Sequence, residues 1–454
     1  MIDIKNIQKI YFIGIGGIGM SALARYFKSR GCRVSGYDKT ETALTGELVK
    51  EGIAIHFSDD LDLIPKDAEL IVYTPAVPKD HKELDFYKQH DYPVLKRSDV
   101  LGEITKSSFN ICVAGTHGKT TITTMIAHIL RDSGYGCNAF LGGIAVNYDT
   151  NFWSSEKNVC VVEADEYDRS FLKLNPDIAV ITAMDADHLD VYGSEEAMQQ
   201  AFMDFASKVK QGGLLLTKIG LKKEKEFGSS NHQTYGLIDS RADVYARNIV
   251  MENGSYRFDV VMRDWSLPDV LLHMGGMHNV ENAIAAVRVA HDLGIEDGKI
   301  KKAVDGFKGV KRRFEYIIKS EGLVFIDDYA HHPEELKALI QGAKGLFPLM
   351  KCTVIFQPHL FSRTRDLAYG FADSLDFADE VILLPIYPAR ELPMEGVTST
   401  MIADRMNIDN KKIMSKEELL NGIKDREVEL LITAGAGDID ALVMPIKKVL
   451  EKRY

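Results

Sequence analysis

The short apolar run Ile111-Cys-Val-Ala leads into a glycine-bracketed turn, Gly115-Thr-His-Gly118, followed by Lys119 and two hydroxyls, Thr120 and Thr121, at the head of an apolar helical stretch. A strand that breaks at such a turn and restarts as a helix calls for an α/β sheet, and no other stretch constrains the fold as much. The turn and the helix N-terminus aim backbone N–H groups at an anion. Lys119 neutralises the terminal phosphates of a triphosphate, and Thr120 or Thr121 places an oxygen on Mg²⁺. Where the usual pattern has an earlier glycine the chain has Val113, which leaves the tighter Gly115-Thr-His-Gly-Lys-Thr form. The expected ATP-binding turn is Gly115, Thr116, His117, Gly118, Lys119, Thr120 and Thr121.

At 454 residues the chain is too long for one core, and roughly two to four domains are expected. A formal charge of -11 and a pI near 5.7 argue against nucleic-acid and membrane partners, because both require a positive field. Anionic ligands must be held by local devices. The five cysteines, Cys32, Cys112, Cys137, Cys160 and Cys352, form no C-x-x-C pair and read as buried free thiols in a reducing compartment. The opening Met-Ile-Asp-Ile-Lys-Asn has no secretory pattern and no apolar run nears the length of a membrane span, so a cytoplasmic protein is expected, as a monomer or homodimer.

Three α/β segments follow one another, with no repeat or low-complexity tract. The expected architecture is a Rossmann-like domain over 1–98, a central P-loop ATP-binding α/β domain over 99–311 and a C-terminal Rossmann-like α/β domain over 312–454. The first opens as a βαβ unit, strand Lys9–Gly14, helix from about Gly19 to Arg30 and strand Arg33–Tyr37. The second has strands near Asn158–Glu163 and Ile178–Ala183, a helix from His278 to about Asp292, and an antiparallel ribbon between Asp243 and His273. The third alternates strand Leu323–Asp327, a helix from Pro333, strands Cys352–Phe356, Glu380–Leu384 and Glu429–Thr433, and a last helix.

Gly14-Ile-Gly-Gly-Ile-Gly19 fits G-x-G-x-x-G between a strand and a helix, and Asp38 ends the next strand at the position of a ribose-binding acid. By itself this suggests NAD. Its physical content is only that a backbone can approach a pyrophosphate, and the separate ATP grip favours a nucleotide-sugar held by Gly14, Gly16, Gly17, Ile18, Gly19 and Asp38. Two acid clusters, Glu163-Ala-Asp-Glu-Tyr-Asp168 and Asp185-Ala-Asp-His188-Leu-Asp190, close consecutive strands where hard oxygen ligands suit Mg²⁺. The residues alone leave open which of Asp165, Glu166 and Asp168 only cap a turn. Asp327-Asp-Tyr-Ala-His-His-Pro333 and Gln357-Pro-His-Leu-Phe-Ser-Arg-Thr-Arg365 close strands of the third segment, and Lys311-Arg-Arg313 stands at its start, with groups suited to carboxylate and phosphate.

The glycine clusters, Glu163-Ala-Asp-Glu166, His278-Asn-Val-Glu-Asn282, Arg312-Arg-Phe314, Asp327-Asp-Tyr-Ala-His-His-Pro333 and Gln357-Pro-His359 together resemble the Mur ligase family, in order along the whole chain. The resemblance implies peptidoglycan synthesis: ATP activates the carboxylate of UDP-N-acetylmuramate as an acyl phosphate, which L-alanine then displaces, giving ADP and phosphate. Attachment of a preformed tripeptide to the same sugar is the alternative. It further implies that Lys119, His188 and Arg313 are catalytic, that Thr120, Glu163 and His188 hold Mg²⁺, and that Asn279, Arg313 and Asp327 meet ATP. Tyr329, His331 and Arg363 would form the amino-acid pocket. Two positions depart from relatives: the stretch Glu195–Met203 has no lysine to be carbamylated, and Leu360 stands where some relatives are basic.

Overall fold

The structure, a computed structural model, describes residues 4–78, 80–185, 189–252, 254–389 and 391–453. Its α/β architecture is built on three sheets. The first runs Ala54–His56, Arg33–Tyr37, Lys9–Ile13, Leu70–Tyr73, Val94–Lys96, with its recorded pairings parallel. Alternation sets its two faces. Ile10 and Phe12 pack with Leu23 and Phe27 of the helix Ile18–Ser29, whereas Tyr11 and Ile13 pack with Leu84 and Tyr87 on the other side. Strand order reverses beside Lys9–Ile13, the switch point at which open α/β sheets bind ligands.

The second sheet has ten strands. Phe109–Ala114 lies between Val159–Glu163 and Ile178–Ile181, both parallel to it. Asn138–Ala145 and Thr150–Trp153 form an antiparallel hairpin at one edge. Toward the other edge come Leu214–Lys218, His232–Gly236 and then Val244–Glu252, Ser255–Met262 and Trp265–Leu272. Connections as short as those within this last trio join only antiparallel neighbours, the ribbon expected from the sequence. Pro268 is tolerated because its strand is the outermost. The third sheet runs Glu315–Lys319, Val324–Asp328, Leu430–Ala434, Cys352–Phe356, Glu380–Leu383, Lys411–Ile413; only the first pairing is antiparallel.

Contacts divide the chain into two compact units. One comprises Met1–Arg247, Asp259–Val270 and Glu281–Phe307, the other Asn248–Phe258, Leu271–Val280 and Lys308–Tyr454. The first therefore holds both the first sheet and the P-loop strand. Within it the helix Ile18–Ser29 docks on the edge hairpin through buried polar groups. Asn151 Nδ2 donates to Ile18 O (2.6 Å) and Ser21 Oγ (2.9 Å), and its Oδ1 accepts from Arg25, which also pairs with Glu51 (2.6 Å). Among the described residues no helix is long and apolar enough to cross a membrane.

Candidate active site

In the first unit the central turn begins where Ala114 ends its strand. Gly115 has φ +130° and Gly118 φ +78°, and Gly118 is the N-cap of the helix Lys119–Asp132. Both need glycine. A Cβ on Gly115 would lie 2.1 Å from Thr182 Oγ1, and one on Gly118 would lie 2.9 Å from Asn282 Oδ1. Thr182 braces the turn from the next strand, donating to Ala114 O (3.3 Å) and approaching His117 O, while Thr116 N donates to Ala183 O (3.2 Å). The helix carries its threonines inside because their hydroxyls return to the backbone: Thr123 to Lys119 O (2.8 Å), Thr124 to Thr120 O (2.7 Å).

Lys119 Nζ donates to Gly115 O (2.6 Å) and to Glu166 Oε1 (2.7 Å). Glu166 is 1% exposed, and burial raises its carboxyl above the usual range although Lys119 opposes this. Its second oxygen is buried and has no hydrogen-bond partner among the described residues. Thr120 Oγ1 donates to Glu163 Oε1 (3.1 Å), and Glu163 Oε2 accepts from Gly142 N (3.1 Å). Lys119, Thr120 and Glu163 are thus brought together, and Glu166 joins them. Thr121 is buried; His117 is exposed, 3.8 Å from Asp185. His188 lies outside the described residues.

The first glycine turn is built differently. Gly14 has φ +85°, and its N–H and that of Ile15 donate to Tyr37 O (2.8 and 3.0 Å). Gly17 N returns to Gly14 O (3.2 Å), and Gly17 caps the helix with no side-chain hydrogen bond. Asp38 receives Gly16 N (2.7 Å) and Thr40 N (3.2 Å), so its carboxylate closes the turn itself. Beneath it lies a buried polar cluster. Tyr11 donates to Glu83 (2.6 Å), His56 Nε2 stands 3.7 Å from Glu83, and Tyr37 packs edge-on against His81. Burial lifts the Glu83 carboxyl to about 7.

In the second unit Asp327 is 2% exposed and burial pushes its carboxyl up to about 7. Thr433 Oγ1 donates to it (2.6 Å), and the cation beside it is Arg312 (3.4 Å). Its neighbour Arg313, the one singled out in the sequence, is exposed. Asp328 accepts from Phe314 N (2.6 Å) and Ala330 N (2.7 Å) and so folds the loop carrying Tyr329 and His331. The rings of Tyr329, His331 and His359 form a chain with centroids 5.2 and 6.3 Å apart. Arg363 enters the helix Phe361–Leu375, with Nη1 buried and without a hydrogen-bond partner among the described residues. Glu391 receives Ser362 N (2.9 Å) and holds that helix's first turn. Asn279 is buried and donates to Gly275 O (2.7 Å).

Sequence reasoning passed over the pairing of Glu166 with Lys119, the brace from Thr182, and the roles of Arg312 and Asp328. Glu166, Arg312 and Asp328 each left a signal, a place in a charged run at a strand end or domain start; Thr182 left none.

A fold with three such sheets and a phosphate turn of this design defines a nucleotide-dependent α/β enzyme. Residues 9–109 match the Mur ligase family catalytic domain, 113–290 the Mur ligase middle domain and 312–439 the Mur ligase glutamate ligase domain. The chain belongs to the Mur ligase family. It is 49% identical to the UDP-N-acetylmuramate–L-alanine ligase of Flavobacterium johnsoniae, covering 99% of each chain. Against the enzyme of the same name from Cytophaga hutchinsonii it is 47% identical, over 100% of this chain and 99% of the other. The crystal structure of the UDP-N-acetylmuramate–alanine ligase MurC of Thermotoga maritima superposes with a TM-score of 0.82 at 29% identity, over 98% of this chain and 99% of that one.

Proposed function

We propose that this chain is an ATP-dependent ligase that joins L-alanine to the carboxylate of UDP-N-acetylmuramate in peptidoglycan synthesis. The observation that carries the reading is the grouping of Lys119, Thr120 and Glu163 at the head of the helix Lys119–Asp132, in a chain alike over its whole length to ligases of that name. A carboxylate is a poor electrophile. Attack of its oxygen on the γ-phosphorus of ATP breaks the β–γ bond, releases ADP and leaves an acyl phosphate. The amine of alanine then adds to the carbonyl carbon, and the tetrahedral intermediate expels phosphate as the amine loses its proton.

In this reading Lys119 balances charge on the phosphoryl group in flight, and the backbone N–H groups from Gly115 to Thr121, apart from that of Thr116, which is spent on Ala183 O, hold the phosphates. Thr120 and Glu163 offer hard oxygen donors and would hold Mg²⁺ together with His188. The ion supplies charge neutralisation of the triphosphate. Gly14, Gly16, Gly17, Ile18, Gly19 and Asp38 receive the UDP-sugar. Asn279, Arg313 and Asp327 meet ATP, and Tyr329, His331 and Arg363 receive the amino acid. Residues 1–98, 99–311 and 312–454 are the corresponding sugar-nucleotide, ATP and amino-acid domains, and the setting is the cytoplasm. Phosphate release from ATP and UDP-N-acetylmuramate, with L-alanine or with a peptidoglycan tripeptide, tests the reading. Stimulation by L-alanine is expected; stimulation by the tripeptide alone overturns it.

A further inference from the structure

Glu166 lies at the central turn and has no part in the chemistry above. It is 1% exposed; its Oε1 accepts from Lys119 Nζ (2.7 Å), and its Oε2 is buried with no hydrogen-bond partner among the described residues. A buried carboxylate with an idle oxygen costs free energy on folding, and pairing it with a cation repays that cost poorly. Stability alone does not account for an acid in that place.

Its effect is on Lys119. An ammonium has three protons to donate. Gly115 O (2.6 Å) takes one and Glu166 Oε1 (2.7 Å) another, so among the described residues one is left over. Gly115 O holds the head of the side chain at the turn, and Glu166 holds it from the segment that follows the strand Val159–Glu163. The lysine side chain is 14% exposed, and its long stem has little freedom left.

Glu166 is itself held. Its backbone O accepts from the Tyr192 hydroxyl (2.6 Å) and from Arg169 N (2.9 Å). The second bond closes a tight turn in which Asp168 and Arg169 both have positive φ (51° and 60°). Ser170 Oγ donates to Asp165 O (2.9 Å). At the start of the segment Ala164 N donates to Val113 O (2.8 Å), which ties it to the strand that leads into the phosphate turn. The acid and the lysine it holds are thus fixed to one strand.

Building on the function proposed above, we propose that Glu166 is a positioning residue, which aims the Lys119 ammonium so that its remaining N–H is ready for the γ-phosphate before ATP arrives. It works by accepting a hydrogen bond. Its charge is a liability, because a carboxylate near a triphosphate weakens the binding of ATP. Rate and affinity therefore pull apart at this residue.

The rival account is that Glu166 only balances the charge of the lysine within a packed loop. E166A removes both acceptor and charge, so kcat should fall by about tenfold to a hundredfold, the scale of a misplaced group, while KM for ATP holds or falls. E166Q keeps an acceptor oxygen without the charge and should recover most of the lost kcat. In the Lys119→Ala background E166A should cost nothing further, since Glu166 acts through that lysine. Acylation of Lys119 by an N-hydroxysuccinimide ester of acetic acid, located by peptide mass spectrometry, reads the hold on the amine without turnover. It should be faster in E166A than in wild type, with E166Q nearer to wild type. All rates are taken well below the melting temperature of each variant, so that loss of folding does not enter. Wild-type kcat in E166A, equal losses in E166A and E166Q, a further loss beyond Lys119→Ala, or one rate of Lys119 acylation in wild type and E166A overturns the proposal. Wild-type protein that ligates no alanine would refute the proposed reaction, and the acylation rates would still decide the role of Glu166.

Discussion

The two glycine turns of the first compact unit hold charge in opposite ways. The central turn has its own cation, Lys119, set between Gly115 O and the buried Glu166, with Thr120 and Glu163 alongside. The first turn has no such cation and is closed by an acid, Asp38, on Gly16 N. Both are a strand, a turn and an uncapped helix N-terminus. On the proposed reading, the difference is that between moving a phosphoryl group and gripping one. Transfer needs charge placed in advance where it develops; holding a diphosphate needs backbone donors and a cation brought to it.

The largest effect that contrast predicts is for Lys119→Ala. ATP-dependent phosphate release should fall by about a thousandfold or more, the scale of losing a charge aimed at a phosphoryl transfer. The fold should survive, because the buried Glu166 that loses its cation can hold a proton instead, and UDP should still bind. Near-wild-type turnover would erase the distinction between the turns. Gly16→Ala should strike the other turn alone. Its Cβ would sit 2.8 Å from both Asp38 Oδ2 and Thr45 Cγ2, so Kd for UDP should rise about tenfold or more, with KM for ATP unchanged.

Thr120→Val keeps the shape and removes the hydroxyl that meets Glu163. The Mg²⁺ concentration for half-maximal rate should rise about tenfold, with UDP affinity constant. An unchanged Mg²⁺ titration would remove Thr120 from the metal site.

The smallest effect concerns pH and belongs to the first turn only. Burial lifts Glu83 from 4.5 to about 7, so between those values the folded protein keeps a proton that the unfolded chain has released. Stability must then fall as pH rises from 4.5 to about 7 and level off above that. Glu83→Gln should match wild type at pH 5 and exceed it at pH 8 in denaturant midpoint. Parallel stability curves for the two proteins would show that Glu83 titrates normally.

Much of this was legible in advance, because the inner strands of parallel sheets are covered on both faces and read as short apolar, β-branched runs. Val159–Glu163, Arg33–Tyr37 and Cys352–Phe356 lie within a residue of where their patterns place them, and Phe109–Ala114 begins two residues before the run at Ile111. The hairpin Asn138–Ala145 did not show itself, since Gly142-Gly143 reads as a break. Gly142 is there for Glu163: a Cβ would lie 2.1 Å from its Oε2, so what looks like a loop signal is a strand giving room to a carboxylate. The strand Glu315–Lys319 was hidden by the basic run before it. Arg312 and Arg313 could not be told apart either, for the choice between them follows from the positive φ angles of Arg312 (60°) and Phe314 (49°). That backbone turns one guanidinium to Asp327 and leaves the other outside.

The brace on the central turn has a mechanical consequence. Thr182 and Ala183 fasten the turn to the adjoining strand at Ala114, Thr116 and His117, so the turn shares the rigidity of the sheet rather than the looseness of a surface loop. On the proposed reading it would work as an anvil: whatever swings during a catalytic cycle, the phosphates would be struck against a seat that stays still.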